Sequence, residues 1–304
     1  MTFQRSETPH CSDVEGCDAV DLVITPKTKD LGGFDVRRVL PAVERRSVGP
    51  FVFFDQMGPA VFPAGEGISV RPHPHIGLST LTWLFEGEIM HRDSLGYVQA
   101  IRPGEVNWMT AGSGIVHSER TPEELLDKER ALFGLQVWMA LPQDLEETDP
   151  NFQHVAAADI PSFDDAGIRL SLVAGKGWGL SSPVKVHSET LYADVEAAAG
   201  SALTVPADHE ERAVYPVRGA VEIDGATFEA GTMVVLKPGL SVDMLAPEGA
   251  HYVVIGGAPV DGKRHLFWNF VSSRPERIEQ AKEDWREGRF APVPGDDEFI
   301  PLPD

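Results

Sequence analysis

His73-Pro-His75 and His117-Ser-Glu119, with His117 42 positions after His75, offer three imidazoles and one carboxylate as two H-x-[HE] pairs. Side chains at i and i+2 of an extended strand share a face. Each pair can therefore project both groups from one strand toward a common point. Pro72 and Pro74 hold the first pair extended, because a proline fixes its own φ and turns the residue before it away from helix. Such a set suits one divalent metal. Imidazole and carboxylate without thiolate fit Fe(II), Mn, Ni, Cu or Zn and exclude a cysteine-rich zinc site. Four protein ligands on a six-coordinate ion leave two positions open, which an O2-activating iron site needs and a structural zinc does not. The turn Ala111-Gly112-Ser113-Gly114 before the second pair would let backbone fold closely over the site.

Other groups are candidates for the surroundings of such a metal. His91 and Arg92, followed by Asp93, read either as groups bordering metal or substrate, or as a surface turn with a local Arg–Asp pair. Phe53, Phe54, Met57, Trp83, Trp108 and Met109 read either as the wall of an apolar pocket, with Phe53 and Trp108 against substrate, or as plain core. His154, His187, His209 and His265 stand alone and read as surface or satisfied core residues. Cys11 and Cys17 are too few for a disulfide framework and read either as a C-x5-C metal or redox pair with His10 nearby, or as thiols on a mobile acidic tail, residues 1–19.

Short strands must position these groups. Leu78–Phe85, Glu88–Arg92, Tyr97–Ile101, Val106–Thr110 and Ile115–Ser118 are apolar or β-branched runs separated by turn signals such as Glu86-Gly87 and Arg102-Pro103-Gly104-Glu105. That rhythm indicates antiparallel sandwich or barrel architecture. The unit recurs about 130 residues later, with Gly219 matching Gly87 and Gly231 matching Gly104. The fold class is therefore all-β: two β-barrel, jelly-roll-like domains. On this alignment Val205, Ala207, Met244 and Ala246 fall where the ligand pairs stand, so the second barrel, residues 186–267, is expected to be metal-free. The first barrel spans residues 20–140 and a connecting region 141–185. Ser273-Arg274-Pro275-Glu276 has capping-box spacing, and Ile278, Ala281 and Trp285 then share a helical face before Gly288 and Pro292. Residues 268–304 thus form a helix and tail packing back on the barrels.

The chain has 304 residues, 42% hydrophobic and 24% charged, with 47 acidic against 26 basic residues and a net charge of -21. This charge disfavours nucleic acid and anionic membrane. No stretch approaches the roughly 20 apolar residues of a membrane span, and no apolar leader opens the chain. The expectation is a cytoplasmic protein, a monomer in the absence of any segment demanding a second copy.

The segments RPHPHIGLSTLTWLFEGEIMHRDSLG (71–96), IRPGEVNWMTAGSGIVHSE (101–119) and WNFVSSRPERIEQAKEDWREGRFAPVPGDDEFIPLP (268–303) resemble the pirin family of the cupin superfamily. FDQMGP (54–59) fits as well, with Gln56 at a position where the family often has histidine. The resemblance runs from about residue 20 to the end. It implies a bicupin with one Fe(II) in the N-terminal barrel, held by His73, His75, His117 and Glu119. It also implies either a quercetin 2,3-dioxygenase-type enzyme acting on a flavonol or similar enol, or a redox-responsive regulator acting through a protein partner. In the enzyme, Glu119 would double as the general base that takes the flavonol hydroxyl proton. In the regulator, a change of iron charge would be read by a basic partner protein.

Overall fold

Alternation along the apolar strands sorts their side chains onto two buried faces. In the strand Arg130–Ala140, Leu135, Val137 and Met139 join one apolar cluster, while Trp138 and Ala140 join another. Neighbours Phe53 and Phe54 divide the same way, as do Met109 and Trp108. A strand with both faces covered loses its polar positions, which is why these segments read as continuous apolar runs. The architecture was obtained as a computed structural model and describes residues 10–12, 17–30 and 35–303, with side chains given from residue 17 onward except that of Asp30.

The N-terminal jelly roll is built of a seven-stranded and a four-stranded sheet. The larger runs, in spatial order, Asn151–Val155, Val106–Thr110, Leu78–Glu86, Arg130–Ala140, Phe51–Phe62, Asp35–Leu40 and Lys27–Asp30. The smaller runs Ser69–His75, Ile115–Arg120, Ile89–Asp93 and Val98–Ile101. The C-terminal half repeats the central order: Met233–Leu236, Glu211–Ile223, Ala250–Gly257 and Thr190–Ala197 lie side by side. These correspond to Val106–Thr110, Leu78–Glu86, Arg130–Ala140 and Phe51–Phe62. The matched glycines keep positive φ, 92° at Gly87 and 71° at Gly219, each pressed against a backbone carbonyl, of Ala131 and of Gly249, where a Cβ would clash. The chain is an all-β bicupin of two jelly rolls, its sheets stacked face to face and not closed into continuous barrels, with a single helix among the described residues, Pro275–Arg286.

Strand pairing cuts across the segment boundaries read from sequence. Val20–Thr25 pairs with Met233–Leu236 and so extends the C-terminal sheet. Asn151–Val155, from the connecting region, pairs with Val106–Thr110 and extends the N-terminal one. Cys17 is buried, its thiol directed to the Ile223 carbonyl, in place of the tail thiol expected; residues 1–9 and 13–16 lie outside the described residues. The two large sheets pack against each other through Phe54, Trp83, Trp108 and Leu135 on one side and Tyr192, Tyr215, Val253 and Ile255 on the other. Across this layer Tyr215 donates to Gln56 Oε1 at 2.7 Å, and Gln56 Nε2 donates to the Gly58 carbonyl. Tyr215→Phe would leave a buried amide oxygen without a donor, so it is expected to lower unfolding free energy by about 1–3 kcal/mol in a denaturant titration. An unchanged midpoint would mean that the bond contributes nothing to joining the domains.

The capping box does not form. The helix is preceded by Arg274 in extended conformation without a side-chain cap. Ser273 instead gives its backbone N–H and hydroxyl to buried Glu146, which also holds Ser272 and Arg264. A tertiary carboxylate thus takes the serine that local spacing assigned to the helix. Ile278 and Ala281 are buried against Phe270 and Ile76, with Trp285 partly buried beside them. The tail returns to strands Ser69–His75 and Ile115–Arg120: Ile300 N–H donates to the Pro72 carbonyl at 2.9 Å, and Arg120 pairs with Asp296 and Glu298. No described helix is long and apolar enough to cross a membrane.

Candidate metal centre

Antiparallel pairing of Ser69–His75 with Ile115–Arg120 sets His117 directly opposite His73. The register then slips, so that Glu119 faces Val70. On its other edge the second strand pairs with Ile89–Asp93, placing Asp93 opposite His117 and His91 opposite Glu119. His73, His91, Asp93, His117 and Glu119 are all buried.

His73, His75 and His117 come together: one ring nitrogen from each lies within 4.8 Å of the others. His75 Nε2 and His117 Nε2 are 3.0 Å apart. Two imidazole nitrogens bound to one ion at about 2.1 Å stand roughly 3.0 to 3.4 Å apart for right-angle to tetrahedral placement. The His75–His117 pair thus stands at the spacing of two ligands on one divalent ion, with His73 within 4.8 Å of both. Burial also prepares the rings. It lowers His73 to about 4, against a weaker opposing pull from the Arg71 carbonyl. It lowers His75 and His117 well below the ordinary imidazole range, helped by the other rings. At neutral pH all three are uncharged and free to donate a lone pair.

The outer hydrogen bonds decide which nitrogen is available. His73 Nδ1 lies 2.9 Å from the Arg71 carbonyl, which can only accept, so Nδ1 carries the proton and Nε2 is left for metal. His91 Nε2 lies 3.0 Å from Asp93 Oδ2, which fixes its proton there and leaves Nδ1 as acceptor. His117 Nδ1, 3.4 Å from that atom, supplies the donor, and His117 Nε2 again faces the trio. Asp93 is itself anchored by the backbone N–H groups of Leu95 and Tyr97. This chain of carboxylate, imidazole and ligand imidazole orients the ligand and raises its basicity. Asp93→Asn is expected to weaken metal binding by roughly 10- to 100-fold, read by competition with a chelator of known affinity. Wild-type affinity in the variant would remove Asp93 from this role.

Glu119 is not one of the three. Its Oε1 accepts from Thr82 Oγ1 at 3.3 Å, with a second hydrogen bond from Gln136, and burial raises its pKa. Thr82 and Gln136 were not among the expected residues, although a polar residue inside an otherwise apolar strand was the available signal.

The other expected residues divide. His91 is brought to the site and stacks on Phe152, ring centroids 4.6 Å apart. Arg92 alternates onto the opposite, partly exposed face of its strand and does not join it. Phe53 stacks on Trp138 at 3.9 Å, and Trp138 sets its face at 83° to His75 at 5.2 Å. Phe53 therefore stands one ring removed from the centre, and Trp138 is the aromatic wall that sequence reading missed. Trp108 faces the other way, into the layer between the domains, because it alternates with Met109. The Gly112–Gly114 turn makes its close approaches to the Thr148 carbonyl and the Phe290 ring, not to a ligand.

In the second domain Val205, Met244 and Ala246 are buried apolar core. His209 is held by Glu189 and the Lys176 carbonyl, and His251 by Asp194. Neither belongs to a group of candidate ligands among the described residues.

The pirin family model matches residues 33–139, and the model of the pirin C-terminal cupin domain matches residues 192–291. This chain belongs to the pirin family. A pirin-like protein of Caulobacter vibrioides is 49% identical over 94% of this chain and 100% of its own length. The crystal structure of a quercetin 2,3-dioxygenase from Acinetobacter baumannii superposes with a TM-score of 0.87 at 34% identity, covering 94% of this pirin and 95% of that chain. A bacterial pirin from Escherichia coli, solved in complex with nickel(II), shares the fold at a TM-score of 0.62 and 21% identity, over 77% of this chain and 96% of that one. The group of His73, His75 and His117 by itself supports a metal cofactor.

Proposed function

We propose that this pirin is a mononuclear iron protein with quercetin 2,3-dioxygenase-type activity, cleaving a flavonol or similar enol with O2. The observation that carries the reading is the buried, neutral trio of His73, His75 and His117, whose ring nitrogens lie within 4.8 Å of one another, with those of His75 and His117 at 3.0 Å. Glu119 is proposed as the fourth ligand, two residues from His117 and buried with it. Cu, Ni, Mn or Zn would suit the same donors. When bound, iron(II) supplies Lewis acidity toward the enolate oxygen and electrons toward O2.

The chain's own groups have definable tasks. Burial holds the three imidazoles unprotonated. The raised pKa of Glu119 makes its carboxylate a better acceptor for the hydroxyl proton of an incoming enol, and Thr82 and Gln136 hold it in place. Trp138, backed by Phe53, gives an apolar wall suited to a flat aromatic substrate.

The test is quercetin consumption in air by iron(II)-loaded protein, followed spectroscopically, with His73→Ala as control. Turnover that requires iron and disappears in the variant supports the assignment. No turnover with iron confirmed bound sinks it and favours a redox-responsive regulator with a protein partner. Full turnover by Glu119→Ala would remove the base role.

A further inference from the structure

We propose that a cleft of about 700 Å³, beside the metal domain and apart from the histidine trio, binds a small amphipathic carboxylate: its charged end at Arg46 and Lys263, its apolar body on Val52, Leu266 and Phe267.

The charge of this cleft runs against the composition of the chain. The sequence has 47 acidic and 26 basic residues, yet the cleft carries Arg46, Lys263, Arg264 and His265 against one acid, Glu279. Two of these charges are already answered. Arg264 is buried in ion pairs with Glu146 and Asp261, and Glu279 is held by Lys282. Arg46 and Lys263 are exposed and have no ion pair with any described residue. They leave about two uncompensated positive charges on the rim of a concavity whose floor is apolar.

Size and chemistry narrow the occupant. The volume falls within the range of small-molecule pockets, about 300–1,000 Å³, and is too confined for a nucleic-acid strand. An arginine fork matches a carboxylate in a bidentate pair, and a nearby lysine adds a point charge. Val52, Leu266 and Phe267 present carbon surface beside these charges, which suits an apolar body; an aryl carboxylate meets both demands. Val52 and Leu266 pack in the same apolar cluster as Phe53 and Trp138, so the floor lies against the wall of the metal centre while the ligand trio stays outside the cleft. The inference does not depend on the oxygenase reading.

The probe is 2-naphthoate, titrated calorimetrically into the full-length, metal-loaded protein, with 2-naphthalenemethanol as its neutral counterpart. Naphthoate is expected to bind once per chain and about tenfold or more tighter than the alcohol. The double substitution Arg46→Glu with Lys263→Glu is expected to weaken naphthoate about tenfold or more, while leaving the alcohol, the metal content and the melting temperature unchanged. His73→Ala protein, depleted of metal, is expected to bind naphthoate as wild type does. Equal binding of acid and alcohol, or indifference to the double substitution, overturns the site. Loss of naphthoate binding together with the metal overturns it as well, since the carboxylate would then sit on the ion.

Discussion

His117→Ala is expected to leave a folded protein that retains almost no metal after dialysis, with affinity reduced by more than the roughly 100-fold associated with losing an outer-shell partner. His117 is the joint of the site. Its Nε2 lies 3.0 Å from that of His75, and its Nδ1 faces His91, which is fixed by Asp93. Removing the ring therefore deletes a donor and disconnects the hydrogen-bond chain that orients the donor set. The fold should survive, because the apolar clusters of both domains are built from other residues. Metal content by mass spectrometry, with a melting curve as the control for folding, checks this. A variant that still holds one metal per chain would show that the trio is not the ligand set.

The second large effect is acid sensitivity of the metal-free protein. His73 titrates near 4 when folded and at 6.5 when unfolded, chiefly through burial. A folded-state pKa that is depressed gives stability that is present above the unfolded value and lost as pH falls through the folded one. Between pH 6.5 and 4 the unfolded chain takes up a proton that the native state refuses. At about 1.4 kcal/mol per pH unit, His73 alone removes about 3 kcal/mol by pH 4. His75 and His117 are depressed as well and act with the same sign. Glu119 is raised by burial and acts with the opposite sign, relieving part of the loss as its native carboxyl takes up its proton. Three groups outweigh one. Urea titrations of metal-free protein at pH 7.5, 6 and 4.5 should show a falling midpoint. Bound metal adds stability by mass action, about 4 kcal/mol at a free concentration a thousandfold above Kd, and should shift the decline to lower pH. A metal-free protein as stable at pH 4.5 as at 7.5 would contradict the buried, neutral assignment of the trio.

The sequence by itself determined a good deal. Strand Val106–Thr110 has the bounds its turn signals indicated, and Ile89–Asp93 is within a residue of its own. The duplication was visible because each copy needs glycine at the same left-handed turn position. His73, His75 and His117 were legible because alternation and proline leave an H-x-H pair few other conformations. These are local properties, governed by sterics and a two-residue period. Other features depended on what arrives from far along the chain. Arg92 and Trp108 looked like plausible neighbours of the site, but which face of a strand meets the cavity is settled by the packing of the opposing sheet. Ser273 had the spacing of a helix cap and was taken instead by Glu146, 127 residues away. Val20–Thr25 and Asn151–Val155 joined sheets that their positions in sequence did not suggest, because an open strand edge accepts whichever segment the fold delivers to it. The tautomers of His73 and His117, and with them the convergence of lone pairs on one point, follow from acceptors at Arg71 and Asp93 placed by that same tertiary register.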